Sequence, residues 1–122
     1  MLCADIVGFT DYCSTKSPAE VVHLLSHLFL RFDELVHKYN VEKIKTIGDA
    51  YIVAGGVPIV TRDHSDQVAS FALDMIAAVN IYNRQNNKDL KIRNGIHTGP
   101  CVAGLIGTKS KYIQTKIIRE FS

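Results

Sequence analysis

Residues 43–56 read KIKTIGDAYIVAGG, and they decide the fold because two apolar runs are joined there by Gly48 and Asp49. Both runs are rich in β-branched or aromatic residues, and a Gly-Asp break between two such runs predicts a β-hairpin. We predict its strands at residues 41–47 and 50–54. A carboxylate in this apolar setting is costly unless it is protonated, hydrogen-bonded or bound to a cation. Asp49 is therefore the first candidate for a functional residue.

A second aspartate, Asp5, lies in the same kind of sequence, LCADIVGFT at residues 2–10. One aspartate between apolar neighbours is more often a turn or capping residue than a ligand. Two of them, each close to a glycine and to an apolar strand, could form a divalent metal site if the strands pair. Magnesium usually binds through one or two carboxylates together with substrate phosphates. We therefore predict a metal site formed by Asp5 and Asp49.

The turn after the first strand suggests a phosphate beside that metal. Gly8, Phe9 and Thr10 follow closely after Asp5, and backbone N–H groups in such a turn can face an anion. Most glycine-containing turns are only turns, so the weight of this hypothesis comes from the neighbouring metal candidate. Together these residues describe a site for a metal-bound nucleoside triphosphate.

Two helices are predicted, one on each side of the hairpin. Ser17 can cap the first, Pro18 suits its first position and Glu20 completes a capping box, so we expect a helix to about Lys38. Its apolar stripe, at helical spacing, comprises Val21, Val22, Leu24, Leu25, Leu28, Phe29, Phe32, Leu35 and Val36. The apolar face of the second helix comprises Val68, Ala72, Met75, Ile76 and Val79.

The order of the elements predicts the fold class. Further strands are expected at residues 1–7, 90–97 and 101–106, which gives the order β-α-β-β-α-β with one additional strand. This is the ferredoxin-like pattern, an α+β sandwich in which an antiparallel sheet carries both helices on one face. The basic stretch at residues 109–122 shows no clear period and receives no assignment.

Length and composition restrict the functional classes. The 122 residues suit one domain, and 47% hydrophobic with 21% charged residues is typical of a globular protein. A net charge of +2 gives no case for nucleic-acid binding. An RNA-binding domain of this fold would need stacking aromatics on a central strand, and the sequence lacks them. The cysteines, Cys3, Cys13 and Cys101, form no zinc pattern and predict reduced thiols in a cytoplasmic setting. No segment predicts membrane contact, so any anchor of a longer parent protein would lie outside these residues.

Six motifs occur in order along the chain: ADIVGFT (4–10), KIKTIGDAY (43–51), VAGG (53–56), FALDM (71–75), RNGIHTGP (93–100) and VAGLIG (102–107). Together they closely resemble the class III nucleotidyl cyclases, the catalytic domains of adenylyl and guanylyl cyclases. The resemblance covers residues 1–107, which we predict to be a partial cyclase catalytic domain followed by a divergent tail at residues 108–122. It implies conversion of a nucleoside triphosphate to its 3′,5′-cyclic monophosphate with release of pyrophosphate.

The resemblance assigns metal ligands residue by residue. Asp5 and Asp49 match the two metal-binding aspartates of the family, and Ile6 matches the residue that lends a backbone carbonyl. Two Mg²⁺ or Mn²⁺ ions per site are implied. One would acidify the ribose 3′-hydroxyl and the other would hold the β- and γ-phosphates during in-line attack on the α-phosphorus.

The resemblance also assigns substrate contacts. Gly8, Phe9 and Thr10 match the turn that cradles the phosphates, and Arg93 matches the arginine that meets the triphosphate, a role that suits a guanidinium fork. Lys45 stands four residues before the second metal aspartate, where guanylyl cyclases generally carry glutamate. A lysine donates to an acceptor such as adenine N1, whereas a glutamate accepts from guanine. Lys45 therefore favours ATP.

Beyond residue 107 the chain departs from the family pattern. The family continues with an aromatic-Asp element that helps to read adenine, and with a helix carrying Asn and Arg four residues apart for the transition state. No aspartate follows Asp89, no asparagine follows Asn94, and Thr115 stands four residues before Arg119, the only later arginine. No catalytic residue is therefore identified. We expect a truncation, a changed reading frame or an alternative exon in the tail.

Two functional hypotheses follow from this departure. In the first, the chain is an adenylyl cyclase domain that works at a dimer interface with a second cyclase domain, either a copy of itself or an intact partner. In the second, it is a catalytically incompetent, cyclase-like dimerisation or regulatory module. A guanylyl cyclase remains the alternative for base specificity.

Overall fold

The computed structural model describes residues 1–57, 59–106 and 110–115, and for residues 101–106 and 110–115 the description covers the backbone. The elements in chain order are β1 (Leu2–Ile6), α1 (Phe9–Ser14), α2 (Pro18–Tyr39), β2 (Glu42–Ile47), β3 (Ala50–Ala54), α3 (His64–Asn86), β4 (Ile92–Ile96), β5 (Cys101–Ile106) and β6 (Ser110–Thr115).

The four strands β1 to β4 form one antiparallel sheet in the order β2-β3-β1-β4. The long helices α2 and α3 pack on one face of it, so the predicted ferredoxin-like α+β fold is confirmed. Strands β5 and β6 pair with each other as a separate antiparallel hairpin. β6 lies in the stretch that received no assignment from the sequence. Residues 108–109 and 116–122 of the predicted tail, including Arg119, lie outside the described residues.

Helix α2 begins and ends close to the predicted bounds. Ser17 is its N-cap, and the Ser17 Oγ accepts a hydrogen bond from the Glu20 backbone N–H at 3.2 Å. The helix ends at Tyr39 because Asn40 adopts a left-handed conformation (φ 53°), which asparagine tolerates better than most residues. The stripe that it buries is narrower than the predicted one and comprises Leu24, Leu28 and Phe32.

The main core lies between the sheet and these two helices. The buried residues of α3 are Val68, Phe71, Ala72, Met75 and Val79. The placement of Ile76 on the buried face was wrong, because Ile76 is 43% exposed. One residue of helix turns the side chain by about 100°, so Ile76 lies off the stripe through Met75 and Val79. The first turns of α3 approach the end of β3 closely, since a Cβ on Gly55 would lie 2.8 Å from Val68 Cγ2.

A polar cluster joins the hairpin to α2. The fully buried ring of Tyr51 contacts Phe29 and Phe32, and its hydroxyl donates to Asp33. Lys43 Nζ lies 2.9 Å from the same carboxylate. Burial, with a smaller effect of the bond to Asp33, raises the pKa of Tyr51 far above its usual range. The hydroxyl therefore stays a donor, and the helix face of the hairpin is fixed against α2.

In the described part of the chain, no helix combines the length and the apolar character needed to cross a bilayer.

The first strand leads into α1, a six-residue helix, where the sequence indicated only a turn. Gly8 precedes it in a left-handed conformation (φ 69°), which glycine adopts without strain. A helix this short has no repeating apolar stripe, which explains why the sequence did not reveal it.

Candidate active site

The two candidate metal aspartates lie at the same end of the sheet. Asp5 is the fourth residue of β1, and Asp49 lies in the two-residue loop between β2 and β3. Because β1 pairs with β3, the hairpin loop comes beside the end of β1. The Asp49 Oδ2 accepts a hydrogen bond from the Ile6 backbone N–H at 2.9 Å. The structure therefore brings together the two carboxylates that the sequence singled out.

The Ile6 side chain is buried in the core at 5% exposure, so only the backbone of Ile6 is available to a ligand. This agrees with the backbone-carbonyl role that the resemblance implies. The β1–β3 register ends at the pair of Ala4 and Tyr51, so the N–H of Ile6 lies beyond the ladder. Asp49 supplies the acceptor that β3 no longer provides.

Arg93 on β4 forms a bidentate ion pair with Asp5. The two residues are register partners across β1 and β4, with Nε to Oδ1 at 2.9 Å and Nη2 to Oδ2 at 3.2 Å. The hydrogen bonds to Asp5, and next the charge of Asp5, raise the pKa of Arg93, and the charge of Asp49 adds a smaller contribution. Both carboxylates therefore act on this one guanidinium, although the sequence assigned Arg93 to the phosphates alone.

Cys3 lies close enough to the two carboxylates for their negative charge to affect the pKa of its thiol. Its thiol is half-buried and free, two residues before Asp5 on the same face of β1. Burial raises the pKa of Cys3, and the charges of Asp5 and Asp49 raise it further. The thiol is therefore protonated at neutral pH, which makes Cys3 unsuited to nucleophilic chemistry.

Lys45 reaches the open face of the sheet, opposite the helices, through a β-bulge. Lys43 pairs with Val53 and Lys45 pairs with Ile52, so the residue between the two lysines is an insertion in the ladder. Without it, Lys43 and Lys45 would point to the same face. Instead Lys43 faces α2, whereas Lys45 is exposed on the other face.

Lys45 shares that face with the acidic end of β1. Ile52 is the register partner of both Lys45 and Cys3, and residues directly opposite each other point to the same side. Cys3 and Asp5 share a face because they are two residues apart. Two strand spacings separate the backbones of Lys45 and Cys3, which is about 10 Å. The predicted base-reading residue Lys45 and the predicted metal ligand Asp5 thus lie on one surface of the sheet.

The predicted phosphate turn lies beside this surface. Gly8 is the N-cap of α1, and Phe9 and Thr10 form its first turn. The first backbone N–H groups of a helix have no intrahelical acceptor. They are therefore free to donate to a phosphate oxygen.

The donors present fit a hard divalent cation. Among the residues that the structure describes, no group of three or more His, Cys, Asp or Glu side chains is arranged to hold a metal. A metal at this site would be held by two carboxylates, with its remaining positions filled by backbone, water or substrate oxygens. Oxygen ligands of this number and kind suit Mg²⁺, which usually keeps several positions for water and phosphate.

Comparison with known proteins adds the family. A family model described as the adenylate and guanylate cyclase catalytic domain matches residues 1–114. The chain is 43% identical over 110 residues to the rat guanylate cyclase soluble subunit beta-2, covering 89% of this chain and 16% of the relative. It is also 43% identical over 109 residues to an adenylate cyclase of Mycobacterium bovis, covering 89% of this chain and 25% of the relative. The chain therefore spans a quarter or less of the length of these relatives.

A solved structure gives the same result. The catalytic core of a rhodopsin-guanylyl cyclase with converted specificity, in complex with ATPαS, superposes with a TM-score of 0.88 at 31% identity. The match covers 98% of this chain and 65% of that one.

Proposed function

Because the chain belongs to the family of adenylate and guanylate cyclase catalytic domains, we propose that it supplies the metal-binding side of a cyclase active site and that its substrate is ATP. The observation that carries the proposal is the position of Asp5 and Asp49, which lie together at one end of the sheet on the surface that also bears Arg93 and Lys45. None of these side chains belongs to the main core, which lies on the other face.

The reaction is an intramolecular phosphoryl transfer. The ribose 3′-hydroxyl gives up its proton to solvent and its oxygen bonds to the α-phosphorus, while the bond from that phosphorus to the pyrophosphate oxygen breaks. Cyclic AMP and pyrophosphate leave. Divalent cations at Asp5, Asp49 and the Ile6 carbonyl would lower the pKa of the 3′-hydroxyl and offset phosphate charge. Arg93 and the N–H groups of the α1 first turn would bind the β- and γ-phosphates.

Base selection is proposed to come from Lys45. Its ammonium group can only donate hydrogen bonds, and adenine N1 is an acceptor, whereas guanine N1 carries a hydrogen. Relatives of both specificities are equally identical to this chain, so overall similarity does not decide between ATP and GTP. The charge of Lys45 is the feature of this chain that favours ATP.

A second cyclase domain is proposed to complete the site. The family places an aspartate, an asparagine and an arginine on the opposite side of the cleft. Among the described residues, the sequence identifies no counterpart of these three. Loss of one donor that stabilises transition-state charge costs about 10²–10³ in rate. We therefore expect negligible cyclic AMP from the chain alone, and we propose the cytoplasm, where ATP is available, as its location.

Two measurements test the proposal. Titration with Mn²⁺ and the α,β-methylene analogue of ATP should show saturable binding that is lost in Asp5→Asn. Asp89→Asn, a charge change at an exposed position, should bind as the wild type does. Cyclic AMP should form when the chain is mixed with a complete cyclase domain whose own metal aspartates are replaced.

The outcomes separate the alternatives. Unchanged binding in Asp5→Asn would refute the metal assignment. Binding without cyclic AMP in the mixture, when sedimentation confirms a complex, would favour the regulatory module. Strong turnover by the chain alone would show that its own residues supply the missing chemistry.

A further inference from the structure

Arg93 occupies the carboxylate that the proposed metal needs. Its Nε and Nη2 each donate to a different oxygen of Asp5, at 2.9 and 3.2 Å, so both oxygens accept a hydrogen bond from the guanidinium. The register explains the contact, because Asp5 and Arg93 are directly opposite on β1 and β4. The pair is therefore a feature of the strand alignment and does not depend on a flexible loop.

A divalent cation and the guanidinium compete at these oxygens. A carboxylate has about four lone-pair positions, but two cations within bonding distance of one carboxylate repel each other. Asp49 differs, since one of its oxygens accepts the Ile6 N–H and no arginine among the described residues forms a hydrogen bond with it. The competition thus concerns Asp5.

The ion pair is weak enough to open. The Arg93 side chain is 69% exposed and the Asp5 side chain 38% exposed, so water competes for both. Water screens an exposed ion pair, whereas a triphosphate offers the guanidinium a bidentate partner of higher charge. The long exposed side chain of Arg93 can turn from one to the other without moving the strand.

We infer that Arg93 is an internal counter-ion which covers Asp5 in the ligand-free protein and transfers to the triphosphate when metal and nucleotide bind. The inference rests on the proposed function, since it requires that Asp5 binds metal. It adds a coupling between the two ligands: phosphate removes the guanidinium from Asp5 and so strengthens metal binding. By linkage, metal strengthens phosphate binding by the same factor.

The consequence is a pair of opposite effects in one variant. Arg93→Met keeps the length of the side chain and removes its charge and donors. In the absence of nucleotide, its affinity for Mn²⁺ should rise about two- to fivefold, which corresponds to the strength of an exposed ion pair. Its affinity for tripolyphosphate in the presence of Mn²⁺ should fall. Arg93→Lys retains the charge without the guanidinium fork, so both of its affinities should lie between those of wild type and Arg93→Met.

The experiment measures free Mn²⁺ by electron paramagnetic resonance, with and without tripolyphosphate, in wild type, Arg93→Met and Arg93→Lys. Arg84→Met, at an exposed position near the end of α3, is the matched control and should change neither affinity. A second readout is the ¹⁵Nε resonance of Arg93, which should shift on addition of Mg²⁺ to the wild type and should not shift in Asp5→Asn. Neither readout requires turnover.

The results distinguish this inference from the proposed function. If Asp5→Asn abolishes Mn²⁺ binding while Arg93→Met leaves it unchanged or weakens it, the counter-ion role is wrong and the metal site stands. If Asp5→Asn leaves Mn²⁺ binding intact, the metal site itself is wrong. Tighter Mn²⁺ binding in Arg93→Met, together with weaker tripolyphosphate binding, supports the transfer of Arg93 between the two.

Discussion

Replacement of Asp49 should separate its structural role from its role as a ligand. One carboxylate oxygen of Asp49 accepts the Ile6 N–H at 2.9 Å, in a partly buried position beyond the end of the β1–β3 ladder. Asp49→Asn can keep this bond through its amide oxygen but loses the charge. Asp49→Ala loses both. The two variants therefore differ in the hydrogen bond and agree in the loss of the carboxylate.

The expected magnitudes follow from the kind of bond. A hydrogen bond to a charged acceptor contributes about 1.5–3 kcal/mol to the free energy of unfolding and a neutral one about 0.5–1.5 kcal/mol. Asp49→Asn should therefore cost about 1 kcal/mol and Asp49→Ala about 2 kcal/mol. In a domain of this size 1 kcal/mol lowers the Tm by about 4 °C. The Tm should fall by about 4 °C and about 8 °C, respectively.

Metal binding should not follow this gradation. Both variants should lose Mn²⁺ binding, because neither retains the charge at residue 49. The assay pairs urea unfolding with Mn²⁺ binding, and Asp89→Asn serves as the control at an exposed position. Equal destabilisation by Asn and Ala would refute the anchoring role of the hydrogen bond. Retained Mn²⁺ affinity in Asp49→Asn would refute the carboxylate as a ligand.

Two further predictions concern the base and the helices. Wild type should bind the α,β-methylene analogue of ATP more tightly than that of GTP, and Lys45→Glu should weaken this preference; equal binding of both analogues by wild type would contradict the ATP assignment. Hydrogen bonds from Tyr39 and then Lys38 lower the pKa of Asp74. The stabilisation is therefore present above the unfolded pKa of about 4 and is lost as the pH falls through the lower folded value. Asp74→Asn should unfold in less urea than wild type at pH 7, and the difference should shrink towards pH 3; a constant difference would contradict the linkage.

The parts of the fold that could be predicted are those with a local signal of sufficient length. The capping sequence from Ser17 to Glu20 and the repeat through Val21, Leu25, Leu28, Phe32 and Leu35 located α2 to within one residue at its C-terminal end. The short helix α1 and the strand β6 had no such repeat. The width of the buried stripe was overestimated because helical spacing alone does not determine how wide a face the sheet covers, as Ile76 on α3 shows.

The sequence predicted which candidate residues share a location, but it did not predict their geometry. Two aspartates in apolar strands indicated a shared location, and the structure brings them together. The ion pair of Asp5 and Arg93 depends on the register between β1 and β4, residues 88 positions apart in sequence, and no local pattern encodes a register of that kind. The bulge before Lys45 was equally invisible. If side chains alternated regularly along β2 with no bulge, Lys43 and Lys45 would lie on the same face of the sheet.

The exposure of the site supports the proposal that a second domain takes part in catalysis. Charged groups stabilise a transition state most effectively where water is excluded, because the effective dielectric constant there is low. The Arg93 side chain is 69% exposed, and Lys45 is exposed as well. Neither group can exert its full effect on a phosphate or a base while bulk water screens it. A second domain that covers this face would raise the contribution of every residue already present, in addition to supplying residues of its own. The proposal of a second domain is thus supported by the exposure of Arg93 and Lys45.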